Sequence, residues 1–181
     1  MQTVLGFKPI RMLLPVVLIV LPGSTIFAQK PADQESNGVL EAVRTKWDLY
    51  PVNGDAKKEI EAALKTAQSE NRRVILIFGG NWCYDCHVLD RALHEGEASK
   101  IVKEKFLLVH VDIGEGDKNL DLIKKYETTL GFGVPTVVIL DGKARVVYSS
   151  TKGEFEAARR IMKKDLVAFL NHWSPPALVK P

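Results

Sequence analysis

Val74-Ile75-Leu76-Ile77-Phe78, followed by Gly79-Gly80-Asn81-Trp82 and then Cys83-Tyr84-Asp85-Cys86, is the stretch on which the reading of this chain turns. The apolar run does not alternate, which is the pattern of a parallel strand covered on both faces. A helical pattern begins at the first cysteine. One sulfur therefore stands at a helix N-terminus, where backbone N–H groups and the helix dipole favour a thiolate. The second lies one turn on, close enough to close a small disulfide. A C-x-x-C between a buried strand and a helix suits a redox dithiol. Further along, Gly133-Val134-Pro135-Thr136 opens a second apolar strand.

The same two residues, Cys83 and Cys86, are the only cysteines in 181 residues. A disulfide between them closes a very short loop and removes little entropy from the unfolded chain. A purely structural bond is thus a poor explanation for the pair. At 181 residues the chain holds one domain with a real core. A content of 46% hydrophobic and 26% charged residues is ordinary for a soluble globular protein. The net charge of +3 comes largely from Lys8 and Arg11, so the rest is nearly balanced and nothing points to nucleic acid.

Residues 1–28 read as a signal peptide. Lys8 and Arg11 supply a positive start, and Met12 to Leu21 is apolar but short for a membrane span. Pro22 and Gly23 end it, and Ala28 offers a cleavage position. Ile26 fits that site imperfectly, which leaves an uncleaved N-terminal membrane anchor as the alternative. The expected location is periplasmic or secreted.

Residues 29–54 read as a linker and N-terminal arm. The arm, Val39 to Asn53, holds Trp47, Tyr50 and Pro51 and is either a short helix or an extended segment packed on the domain. Asp55 caps a helix to about Glu70, with Ile60, Ala63, Leu64 and Ala67 on one face. Arg73 to Phe78 is a strand, Cys83 to Glu95 a helix, and Glu97 to Lys105 a further helical turn or two. Phe106 to Ile113 is the next strand and Asn119 to Tyr126 the next helix. Thr136 to Leu140 and Arg145 to Tyr148 flank Asp141-Gly142, a hairpin signal. Glu154 to His172 is expected as one amphipathic helix whose basic side, Arg159 included, is solvated. This order gives an α/β fold with a central mixed β-sheet flanked by helices on both faces. Residues 174–181 are left as a C-terminal tail.

With Trp82-Cys83-x-x-Cys86 after a buried strand, Val134-Pro135-Thr136 opening a later one, and this element order, the chain resembles the thioredoxin superfamily over residues 55–173. Phe78 to Cys86 further resembles exported bacterial thioredoxin-like proteins with a W-C-x-D-C motif. The resemblance implies a thioredoxin fold and a thiol–disulfide oxidoreductase whose only redox group is the Cys83–Cys86 disulfide, with no other cofactor and no metal. Cys83 would attack a substrate disulfide and Cys86 would resolve the mixed disulfide. Trp82 would shield the site, Pro135 would be cis, and the Val134 backbone would pair with an extended client. Tyr84, Asp85 and His87 would modulate the pair. Protein disulfides would be the substrates, a membrane electron donor a natural partner, and the protein a monomer that reduces rather than oxidises its clients.

The pattern departs from the family at one point. Thioredoxins usually carry a buried Asp six residues before the first cysteine, near a Lys on the next strand. Here Ile77 takes the first place and Leu108 is aligned with the second. Asp85 is the nearest remaining acid. As an anion it would disfavour the Cys83 thiolate; alternatively it is a first-turn acid serving its own helix. Two rival readings stand beside the redox one. His87 completes C-x-x-C-H, the attachment signature of c-type haem, although strong strands argue against a cytochrome; its simpler reading is an exposed second-turn residue. Cys83, Cys86 and a distant histidine would alternatively make a non-catalytic metal module, but His94, His110 and His172 show no ligand spacing.

Overall fold

The computed structural model describes residues 48–177. The readings made for 1–28, for 29–47 of the arm and for 178–181 lie outside them. The elements in order are α1 (Ala56–Glu70), β1 (Arg73–Gly79), α2 (Tyr84–His94), α3 (Gly96–Lys105), β2 (Phe106–Asp112), α4 (Leu120–Lys125), β3 (Thr136–Leu140), β4 (Val146–Ser149) and α5 (Lys163–His172), with a 3-10 turn at Ala158–Arg160 before α5.

The four strands form one sheet in the order β2-β1-β3-β4. β1 runs parallel to β2 and antiparallel to β3, and β3 pairs antiparallel with β4. The sheet is therefore mixed, as the element order implied. Central β1 explains its own sequence: every residue after Arg73 is buried, so there is no solvent face to require alternation. Ile75 and Ile77 point into one core with Cys86, Leu89, Phe106 and Leu170. Val74, Leu76 and Phe78 point into the other with Ile60, Ala67, Val111 and Leu122. Burying each such aliphatic or aromatic side chain contributes about 1.5–3 kcal/mol relative to exposure. An acid at Leu76, which is 0% exposed, would have no partner there and would break the fold.

Local signals set the element ends. The Asp55 carboxylate accepts the Lys58 N–H at 3.2 Å and starts α1. Asn71, in the left-handed region at φ 50°, ends it. The β3–β4 hairpin forms at Asp141-Gly142 as expected, but the residue with positive φ is Ala144 (62°). Gly142 is needed for space: a Cβ there would stand 3.0 Å from the Gln68 backbone of α1.

The expected single helix from Glu154 to His172 is not formed. Ile161 and Met162 are extended, and α5 begins only at Lys163. The apolar spacing suited a helix, yet a short turn followed by a helix buries Phe155, Ala158, Leu166 and Leu170 as well. A tertiary contact decides between them. The Arg159 N–H is taken by the Asp85 carboxylate at 2.9 Å rather than by a helical carbonyl. The described end of the arm is not helical either. It is a bend at Tyr50, which is 0% exposed, followed by a turn closed by the Gly54 N–H on the Pro51 carbonyl at 3.0 Å.

Candidate active site

Cys83 is the N-cap of α2, and its Sγ accepts the Cys86 N–H at 3.1 Å. The strand exit and the cap together put this sulfur at the positive end of the helix. Cys83 and Cys86 are joined as a disulfide with Cα atoms 5.3 Å apart. Cys86 faces the core at 0% exposure, while Cys83 retains 4%. The Val134 carbonyl oxygen stands 3.7 Å from Cys83 Sγ, and the Val134–Pro135 peptide is cis. Two segments far apart in sequence thus meet at the sulfurs.

Trp82 and Tyr84 flank Cys83 and stay in solvent, 56% and 43% exposed. The Trp82 indole N–H donates to the Gly114 carbonyl at 2.8 Å. Its ring lies over Gly80, where a Cβ would stand 2.6 Å from the indole nitrogen. One hydrogen bond and one missing side chain hold the ring in this place.

Asp85 and His87 are placed differently from either expectation. Asp85 is buried, and its carboxylate accepts both the Arg159 N–H and a hydrogen bond from the Arg159 guanidinium. It is neither a bare anion beside Cys83 nor an acid serving only its own helix. Arg159 is exposed, as expected of the basic side, but its N–H and guanidinium also reach in to Asp85. His87 is buried rather than exposed, and its Nε2 donates to the Asn81 carbonyl at 2.9 Å. The reason is geometric: α2 turns this side of its second turn back onto the loop that precedes it. Among the described residues no group of three or more His, Cys, Asp or Glu is placed to hold a metal ion.

Several residues near the sulfurs went unread in the sequence. Register places His110, not Leu108, beside Ile77; Leu108 pairs with Ile75. The Asn81 side chain clamps Tyr50 at two points, accepting its N–H at 2.8 Å and donating to its carbonyl at 2.9 Å. Phe132 is 60% exposed, two residues before Val134. A large aromatic between Gly131 and Gly133 was the available signal for it. Tyr50 and His110 carried no local signal, because only the packing brings them together.

Comparisons with known proteins agree with this geometry. A thioredoxin-like family model matches residues 55–142. Anterior gradient protein 2 of Xenopus tropicalis is 28% identical over 155 residues, which is 83% of this chain and 91% of that protein. The crystal structure of a disulphide isomerase from Xylella fastidiosa Temecula1 is similar with a TM-score of 0.64 and 28% identity, covering 71% of this chain and 98% of that one.

Proposed function

We propose that this chain, which belongs to the thioredoxin superfamily and is a thiol–disulfide oxidoreductase, is exported and reduces disulfides in client proteins. The environment of Cys83 Sγ supports the reducing direction. Its polar neighbours among the described residues are one N–H donor, from Cys86 at 3.1 Å, and one carbonyl oxygen, from Val134 at 3.7 Å. The charge nearest to it in the loop is the Asp85 carboxylate, already paired with Arg159. A strong oxidant needs its dithiol form stabilised. Around Cys83 Sγ the donor among the described residues is the N–H at the start of α2, with no positive side chain paired with the sulfur there, which supports a dithiol that gives up its electrons readily.

The chemistry follows from the placement. The Cys83 thiolate attacks a client disulfide, the client S–S bond breaks, and one client sulfur leaves with the electron pair. Cys86 then attacks the mixed disulfide, the Cys83–client bond breaks, and the Cys83–Cys86 bond forms. Two electrons pass to the client, and a dithiol donor, at the membrane on this reading, must restore the pair. The Val134 backbone beside Cys83 supports pairing with an extended client, and exposed Trp82, Tyr84 and Phe132 offer it apolar surface. The signal-like residues 1–28 support export to the periplasm or beyond; among the described residues no helix is long and apolar enough to cross a membrane. No cofactor besides the cysteine pair is required.

The reduction potential tests this reading. Equilibration with defined thiol buffers should give a value near or below about −270 mV, the range of a cellular reductant. A value near about −120 mV would make the protein a disulfide donor instead. The Xylella relative is described as a disulphide isomerase, and isomerisation begins with the same attack by Cys83. Recovery of activity from scrambled ribonuclease, without net reduction, would favour that second reading.

A further inference from the structure

Tyr50 is 0% exposed, yet its hydroxyl has no hydrogen-bond partner among the described residues. A buried hydroxyl left unpaired costs free energy and calls for an explanation. Its position supplies one. Gly79 lies under the disulfide, and a Cβ built there would stand 2.5 Å from Tyr50 Oη and 2.5 Å from Cys86 Sγ. The two atoms face each other across the side chain that Gly79 lacks. The Asn81 clamp on the Tyr50 backbone holds the ring in this place.

We propose that Tyr50 is the hydrogen-bond donor that stabilises the Cys86 thiolate once the pair is reduced, a task for which Ile77 offers no polar group. In the disulfide the hydroxyl waits without a partner; in the dithiol it acquires one. This deepens the oxidoreductase reading and rests on it. Burial, and then the carboxylates of Asp90 and Asp112, push the Tyr50 phenol well above its ordinary range. Tyr50 therefore keeps its proton and acts as a donor, never as the base.

Other charged and titratable groups stand around the pair. His110 stands edge-on to the Tyr50 ring with centroids 5.2 Å apart. Asp90 Oδ1 lies between His110 Nε2 at 3.1 Å and His94 Nδ1 at 3.3 Å. Asp112 is held by Lys118 at 2.9 Å. Asp85 is held by Arg159, and His87 by the Asn81 carbonyl. None of these contacts supplies a donor to Cys86 Sγ. In the resolving step Cys86 loses its proton, the Cys86–Cys83 bond forms, the Cys83–client bond breaks, and the client sulfur leaves with the electron pair. The proton given up by Cys86 is balanced by the one the client sulfur takes up.

Single-turnover reaction of the reduced full chain with 5,5′-dithiobis(2-nitrobenzoate) separates the two attacks. Cys83 releases the first thionitrobenzoate and Cys86 the second, both read by absorbance. In Tyr50→Phe the ratio of second-phase to first-phase rate should fall at least about tenfold, the usual worth of a hydrogen bond to a charged group. The pH midpoint of the second phase should rise by about one pH unit. Because the hydroxyl is unpaired in the disulfide, oxidised Tyr50→Phe should melt no lower than the parent. Gly79→Ala, which fills the gap between Oη and Sγ, should show the same kinetic defect. A Tyr50→Phe protein that melts normally with an unaltered rate ratio and midpoint would overturn the proposal. Absence of any first phase in the parent protein would instead overturn the oxidoreductase reading beneath it.

Discussion

Arg159 clasps Asp85 from a different part of the chain, donating its backbone N–H to Oδ1 at 2.9 Å and its guanidinium to Oδ2. Asp85 sits between the two cysteines, so this pair sets the charge felt by the Cys83 thiolate. Asp85→Asn removes an anion near the nucleophile and should make the couple more oxidising. Taking the repulsion as about 1 kcal/mol at the effective dielectric of a partly buried site, the shift is about 20–30 mV. Arg159→Gln strips the compensating cation and should move the potential the opposite way. Redox titration with alkylation of free thiols reads both. Shifts of the same sign in the two variants would sink the electrostatic account.

Phe132 offers a separable test of client binding. It is 60% exposed, so Phe132→Ser should alter stability by no more than about 0.5 kcal/mol. Losing the apolar contact should raise KM for a protein client by about fivefold to tenfold, the effect of about 1–1.4 kcal/mol of buried surface. The rate with hydroxyethyl disulfide, which is too small to reach Phe132, should hold. An equal loss on both substrates would mean that Phe132 acts on the sulfurs rather than on the client.

The two cysteines have distinct assigned tasks, and single serines separate them. Cys83→Ser should reduce insulin disulfides no faster than buffer does. Cys86→Ser keeps the attacking sulfur and loses the resolving one, so it should accumulate mixed disulfides visible on non-reducing gels. Full activity in Cys83→Ser would exclude it as the nucleophile. Trapping by Cys83→Ser rather than Cys86→Ser would reverse the assignment.

These tests draw on two kinds of residue, and the difference shows how far sequence reading reaches. The strand Arg73–Gly79, the cap at Cys83 and the hairpin at Asp141 announce themselves by composition over a few neighbours, and all three form. The final helix announces itself just as clearly, and it fails because Asp85 captures a backbone N–H 74 positions away. Tyr50 is held opposite Cys86 by a clamp 31 residues distant, and a parallel register sets His110 beside Ile77 and against the Tyr50 ring. A register shift of two residues separates Leu108 from His110, and no local pattern fixes it.

Acid stability gives the last test, through the hairpin. The Asp141 carboxylate accepts the Lys143 N–H at 2.9 Å, the Arg145 N–H at 3.0 Å and the Arg145 guanidinium at 2.7 Å. Partial burial by itself would raise its pKa, but these hydrogen bonds and the Arg145 charge outweigh it and hold the carboxyl below its ordinary value. A carboxyl whose folded pKa is depressed stabilises the fold above the unfolded value, near 4. That stability is lost as pH falls through the lower, folded value. Asp141→Asn should therefore cost about 1–2 kcal/mol at pH 7 and progressively less below pH 4. Urea melts at pH 7 and near pH 2.5 measure the two ends. A penalty that stayed the same at both would show that the turn depends on the shape of Asp141 and not on its charge.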